Sequence, residues 1–282
     1  MTGRLAEVQA RIGSVDQISA VIAAMRGIAA SRSREAIAQL DGIRAYAAMI
    51  GGAIGSALAL VSDSDRPAGA AADGDAVIVL CAEQGFAGAF NERVLDVVAG
   101  LPAAAPRALL VVGSRGLAMA QERGMPVAWS APMAARAGQV ASLANRIAAA
   151  LFQLLDGGAV ARVAMVHSTP AAADIPGVAM KQLVPFDFRR FPPSRNLVAP
   201  LLTMPPRRLL AGLVEEYVFA EICEALMLSF AAENAARMRA MIAARSNVAK
   251  TLDSLRAQSR QLRQEEITNE IIELASGALA TR

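Results

Sequence analysis

MIAARSNVAKTLDSLRAQSRQLRQEE, residues Met241–Glu266, contains neither glycine nor proline. Met241, Arg245, Val248, Leu252, Leu255, Ser259, Leu262 and Glu266 recur in it at alternating steps of four and three. That spacing places them along one side of an α-helix, the pattern of a coiled-coil seam. Half of the later positions are polar, so the seam is imperfect. Ile267, Ile271, Leu274 and Ala278 continue it as a shifted apolar stripe. The stretch free of both helix breakers runs from just after Gly212 to just before Gly277. A helix of about 70 residues rises about 105 Å at ~1.5 Å per residue. Helices of that length are sustained by a partner helix.

All 13 prolines lie between Pro67 and Pro206, both included. A proline inside a helix costs roughly 3 kcal/mol, so both proline-free ends can be long helices. At the N-terminal end Met1, Leu5, Val8, Ile12 and Val15 step by four and three. Ile18, Ile22, Met25 and Ala29 continue after one skipped step, which predicts a local phase shift. Ile43, Tyr46, Ile50, Ile54 and Leu58 carry the stripe on. Gly13, Gly27, Gly42, Gly51, Gly52 and Gly55 each weaken such a helix by roughly 1 kcal/mol relative to alanine. It therefore needs a packed partner, and small residues let that partner come close. The two ends of the chain are expected to pair as an antiparallel two-helix coiled coil.

The middle has a different period. Ala76–Cys81 (AVIVLC) reads as a buried strand, Asn91–Val98 as a helix and Ala108–Gly113 as a second strand. A helix from about Arg115 to Arg123, a short strand Pro126–Ser130, a helix Gln139–Leu155 and a strand Val160–His167 follow, with Gln182–Phe188 as a fifth strand. Strands alternating with helices predict a mostly parallel, Rossmann-like α/β sheet. The expected organisation is an N-terminal coiled-coil helix over 1–62, an α/β domain over 75–200 and a C-terminal coiled-coil helix over 207–282.

Composition excludes several functions. The net charge of +3 is too small and dispersed to predict a nucleic-acid partner. Aromatics are only 4% of a chain that is 55% apolar, which suits slim, closely packed helices. Cys81 and Cys223 lie far apart without metal spacing, and Cys81 follows an apolar run, so a buried free thiol there and a reducing compartment are expected. Arg4, Glu7, Arg11 and Asp16 interrupt the first segment too often for a secretory h-region. Ala45–Ser62 carries no charge and reaches the length of a membrane span. Its Ala, Gly and Ser content fits burial by partner helices better. His167 is the only histidine, so no histidine metal cluster and no Ser-His-Asp triad can form. Glu215–Glu216 and Glu265–Glu266 are helix neighbours that point apart, not catalytic dyads. Arg256, Arg260 and Arg263 share one helix side, either a solvated face or a contact for an acidic partner.

Glu83–Asn91 (EQGFAGAFN) sits where a strand turns into a helix, the position of a phosphate-binding loop. It has only Gly85 and Gly88, without the third glycine of a dinucleotide fingerprint and without Gly-Lys-Ser/Thr. A structural turn is expected, with Asn91 or a neighbour capping the next helix. No cofactor is predicted.

The chain resembles the gamma subunits of F-type ATP synthases along its whole length. The resemblance rests on Ala-Ala-Arg-Met-x-Ala-Met at Ala235–Met241, Asn247, Arg-Gln-x-x-Ile-Thr-x-Glu-Ile at Arg263–Ile271, AMRGIAASR at Ala24–Arg32, and the loop EQGFAGAFN. It implies a non-catalytic rotor shaft: an antiparallel coiled coil filling the hole of a hexameric ring of alpha and beta subunits. A Rossmann-like foot would bind the epsilon subunit and the membrane c-ring, at the cytoplasmic face of a bacterial inner membrane. It also implies that Met25, Arg26, Arg237, Arg263, Gln264 and Thr268 contact the beta-subunit loops. Departures from the family pattern are the absence of cations over Val15–Ala24, Glu83-Gln84 in place of Asp-Arg, Ala87 in place of Cys, and Gly27 in place of Met. They point to a divergent paralogue, as in an alternative, sodium-translocating type of ATPase. Competing readings of the bare residues are a dinucleotide-dependent oxidoreductase built on the α/β domain, and a coiled-coil adaptor or membrane tether.

Overall fold

A computed structural model describes residues 2–61, 74–101, 107–158, 160–170, 177–193 and 201–280. The elements are, in order, α1 (Thr2–Leu58), β1 (Asp75–Leu80), α2 (Phe90–Ala99), β2 (Arg107–Val112), α3 (Ser114–Glu122), β3 (Val127–Ala131), α4 (Val140–Asp156), β4 (Arg162–Thr169), β5 (Gly177–Val184) and α5 (Pro206–Ala280). They fall into two compact units, Met1–Ala29 with Met238–Arg282, and Ala30–Arg237. Both long helices contribute to each unit. Among the positions read from sequence, Met1, Ser62, Pro67 and the side chain of Ala278 lie outside the described residues.

The first unit is made of helix alone. Val8, Ile22 and Ala29 of α1 and Met241 and Leu252 of α5 are buried in it. Along α1 the shielded positions are Leu5, Val8, Ile12, Val15, Ser19 and Ile22, at alternating steps of three and four, followed by Met25, Arg26 and Ala29. The expected phase shift is absent. The seam passes through Ser19, and Ile18 is exposed. A small hydroxyl side chain costs little at a close helix–helix approach, and continuous register preserves the packing of both neighbouring turns. On α5 Ala244 takes the seam position expected for Arg245. Ile267, Ile271 and Leu274 stand exposed beside it. Asp16 and Arg256 form a half-exposed ion pair at 3.6 Å, worth no more than about 1 kcal/mol. Arg260 and Arg263 are exposed.

The second unit centres on a five-stranded sheet in the order β3-β2-β1-β4-β5. β1 runs parallel to β2 and β4, and β2 runs parallel to β3. Both sheet faces are covered, which explains the continuous apolar strand sequences. Ala76, Ile78, Leu80, Leu110 and Val112 face a core shared with α4, α5 and Ala36 and Leu40 of α1. Val77, Val79, Cys81, Leu109 and Val111 pack on Val94, Leu95 and Val98 of α2 and Ala120 of α3. β5 differs from expectation in place, and it is the one antiparallel strand of the mostly parallel sheet among the described residues. It begins at Gly177, ends at Val184 and lies antiparallel to β4. The few residues between Thr169 and Gly177 are too short for a crossover, so the chain returns as a hairpin. Phe186 leaves the sheet to stack on Phe191 at 5.4 Å, and Tyr217 meets Phe191 edge-on at 4.9 Å.

Within this unit α1 and α5 run antiparallel. Ser33 Oγ donates to the Ala231 carbonyl, Arg44 Nε to Glu224 and Tyr46 Oη to Glu216. By length and composition alone α1 could cross a bilayer. Towards its C-terminal end Ile50, Ile54, Ala57 and Leu58 form a cluster with Phe191, Leu210 and Tyr217. Gly55 has a packing reason, because a Cβ there would stand 2.7 Å from the Pro192 carbonyl oxygen.

Candidate functional site

The loop after β1 sits at the carboxyl end of the sheet, beside the point where strand order reverses between β1 and its neighbours. In doubly wound sheets ligands bind in that crevice. Here α5 fills it. Ala82, Ala87 and Phe90 pack against Ala232 and Ala236, whose small side chains let α5 approach closely. Ser229 Oγ donates to the Leu80 carbonyl. The Glu233 carboxylate accepts from the backbone N–H groups of Gln84 and Glu83. Such amides face a phosphate in a nucleotide-binding domain, and here they donate to a carboxylate of the chain itself.

Arg237 completes the clasp. Its guanidinium donates to Glu233 at 2.6 Å, to Asn234 Oδ1 at 3.3 Å, and to the carbonyls of Gln84 and Gly85, both at 3.3 Å. The ion-paired side chains are 7% and 5% exposed. Burial pushes the Glu233 carboxyl above the usual carboxylate range, against the pull of Arg237 and the two backbone amides. Glu83 anchors the loop from the other side, accepting from Ser114 N at 3.0 Å, Ser114 Oγ at 2.7 Å and Met133 N at 2.8 Å. Partial burial opposes its ionisation, but these three bonds prevail and hold its carboxyl below the ordinary value. Asn91 does not cap α2. It is buried, and its Oδ1 accepts from Ala82 N at 2.8 Å; the N-cap position is Ala89, which has no side-chain group to offer. The loop so fixed presents Phe86 to solvent, 69% exposed, at a φ of 61°. Behind it Gly113 and Gly116 leave no room for a Cβ against Cys81, the closest approaches being 2.4 and 2.0 Å.

The six residues named from the family resemblance divide between the units. Met25 and Arg26 are half-buried on α1, and Arg263, Gln264 and Thr268 are exposed on α5, all in the helical unit. Thr268 Oγ1 donates to the Gln264 carbonyl at 2.8 Å. Arg237 lies in the other unit, where its donors make the clasp with Glu233, Asn234 and the loop after β1. Glu233 escapes a reading of the sequence. The only signal for it is an acid four residues before an arginine on a helix otherwise lined with alanine.

The remaining candidate groups are structural. His167 is buried on β4, its Nδ1 3.2 Å from the Ser168 carbonyl, and burial holds its pKa below the usual value. Cys81 and Cys223 are free and buried, and burial pushes both thiols up to about 12. Glu221 lies between Lys181 and Arg190, an ion cluster that also engages Tyr217 through Arg190 at 3.0 Å. No group of three or more metal-binding side chains occurs among the described residues.

A family model described as ATP synthase matches residues 4–281. The ATP synthase gamma chain of Solibacter usitatus is 27% identical over 98% of both chains. That of Frankia casuarinae is 29% identical over 99% of this chain and 98% of its own. Among solved structures, a chain of the Euglena gracilis mitochondrial ATP synthase, OSCP/F1/c-ring, aligns over 100% of this chain and 95% of its own. Its TM-score is 0.67 at 11% identity. A chain of the Tetrahymena thermophila mitochondrial ATP synthase central stalk/c-ring aligns over 79% of this chain and 99% of its own, with a TM-score of 0.56 at 18% identity. Two long helices pairing around an α/β sheet, with the nucleotide crevice closed by one of them, thus coincide with a family match over nearly every residue, and the chain belongs to the ATP synthase family as a gamma chain.

Proposed function

We propose that this chain turns inside the catalytic hexamer, gripped by the alpha and beta subunits along its paired helices and joined at its α/β domain to the epsilon subunit and the membrane c-ring. A gamma chain is the non-catalytic rotor subunit of the central stalk, within a membrane-associated complex. The cytoplasmic face of a bacterial inner membrane is the proposed location, with membrane association through the c-ring. The observation that carries the proposal is the surface of the helical unit. Ile18, Val21 and Ile28 on α1 and Ile242, Ile267, Ile271 and Leu274 on α5 are exposed, although a buried seam already joins the helices. Apolar surface on that scale calls for an outer sleeve.

Rotation needs different contacts on different sides. Arg26, Arg263, Gln264 and Thr268 offer hydrogen-bonding groups at particular positions of a surface that mixes exposed apolar and charged side chains. A ring subunit facing them gains contact energy that its neighbours lack. Differential contact energy is what shifts each catalytic site between conformations as the shaft turns. Arginine suits a contact made and released in each cycle, because its fork pairs with carboxylates in a defined geometry. The divergent-paralogue reading belongs to the same proposal. A second c-ring gene beside this one supports it, and a genome with a single ATP synthase set removes it.

The test is gentle detergent extraction of the affinity-tagged chain from its native membrane. Alpha, beta, epsilon and c subunits are expected in fixed ratio with it. Recovery of the chain without ring subunits would overturn the proposal.

A further inference from the structure

We propose that the free edge of β5 is a strand-addition site that takes an extended, acidic segment of a neighbouring subunit. β5 is eight residues long and ends the sheet, bonded to β4 on one side only. In an antiparallel pair every second residue turns its N–H and C=O away from the partner strand. Among the described residues no backbone hydrogen bond is made on that outer side of β5. Exposed edges of this length are normally shortened, bulged or covered, because they template pairing with another chain.

The space beside the edge is shaped for such a strand. A cleft of about 750 Å³ is bounded by Met180, Lys181, Gln182 and Leu183, by the segment from Pro185 to Arg190, and by Tyr217, Val218 and Glu221 of α5. Four consecutive strand residues line it. A cavity on a sheet face touches alternate residues, so a consecutive run means that the cleft opens along the edge. An extended segment of five or six residues fills a volume on the order of 700 Å³ at interior packing density. Main-chain bonds to an edge supply affinity in this mode of recognition, and flanking side chains supply selectivity.

The flanking charges specify the occupant. Lys181, Arg189 and Arg190 border the cleft, against Glu221 and Asp187. Glu221 is shared by Lys181 and Arg190, and among the described residues Arg189 pairs with the exposed Asp187. One positive charge remains, with the Arg189 side chain 94% exposed at the mouth. Carboxylates on the incoming strand would complete the set, while lysines would be repelled.

The inference rests on the rotor reading only for the complex in which the strand is sought. Amide hydrogen exchange, resolved to single residues by fragmentation, is compared for the free chain and for the complex extracted in mild detergent. At least tenfold slowing is expected at alternate residues of Gly177–Val184, the ones bonded to β4 being slow already. Arg189→Glu should weaken that protection in the complex while leaving exchange in the free chain unchanged. Unchanged exchange in a complex that retains its ring overturns the strand-addition site alone, and so does uniform slowing along β5. A chain that emerges without partners overturns the rotor reading and this inference together.

Discussion

Arg237 and Glu233 show how a residue with an evident family motif can have its donors committed internally. The pair is buried, and each side chain also holds backbone groups of the loop after β1. Removing one partner of a buried pair leaves the other charge uncompensated, at a cost of roughly 3–5 kcal/mol. Arg237→Met is therefore expected to destabilise the chain by about 3 kcal/mol in urea denaturation. Combining it with Glu233→Gln should cost less than the sum of the single changes, as coupled groups do. Phe86 tests the loop from its tip. A side chain held at positive φ costs about 1–2 kcal/mol, and an exposed ring loses little packing on removal. Phe86→Asn, which tolerates that backbone, should raise stability by about 1 kcal/mol. Glu83 gives a pH dependence. Its folded pKa is depressed, so its contribution is complete above the ordinary carboxylate value and is lost as pH falls through the folded one. Thermal melts between pH 7 and pH 3 should decline less steeply for Glu83→Gln than for the native chain. The motif residues are legible in the sequence, but their direction is not: AARM and EQGFAGAFN are both visible, and nothing in either says that one closes over the other.

At the scale of elements, periodicity carries most of the information. The absence of proline marks both long helices, and apolar strand runs mark β1, β2 and β4 within about two residues. Periodicity misjudges the phase of α1 at Ile18 because it follows hydrophobicity where size matters. Ser19 is shielded in the seam and the larger Ile18 is outside. β5 is hard to place because its sequence, GVAMKQLV, does not alternate cleanly, and its direction follows from a connection length rather than from its residues. The α1 glycines separate two reasons for the same residue type. A Cβ at Gly27 would meet nothing within 4 Å, whereas one at Gly55 would strike the Pro192 carbonyl oxygen. Gly27→Ala should stabilise the isolated chain by about 0.5–1 kcal/mol through helix propensity. Gly55→Ala should lower its melting temperature despite the same gain in propensity. Differential scanning calorimetry of the two variants distinguishes these outcomes.

For the whole molecule, the residues alone disclose a catalytically silent chain. A single histidine and an incomplete glycine loop are what its residues offer, and in the fold Glu233 takes the backbone amides of Glu83 and Gln84 at the carboxyl end of β1. What the sequence does not disclose is how exposed the apolar residues of the helical unit remain after pairing, since periodicity alone assigns them to one stripe or another. In the proposed function those bare side chains are the surface that a surrounding ring would cover. If the chain is a rotor, its α/β unit must move relative to that ring whenever ATP is consumed. The direct measurement places a label on Cys introduced at the exposed Ala99 of α2, immobilises the ring subunits, and follows single molecules under ATP. The two native thiols are buried and do not compete for the label. Stepwise turning in one direction that stops when ATP is withdrawn is the expected result. A label that stays fixed while the same complexes hydrolyse ATP would contradict the account.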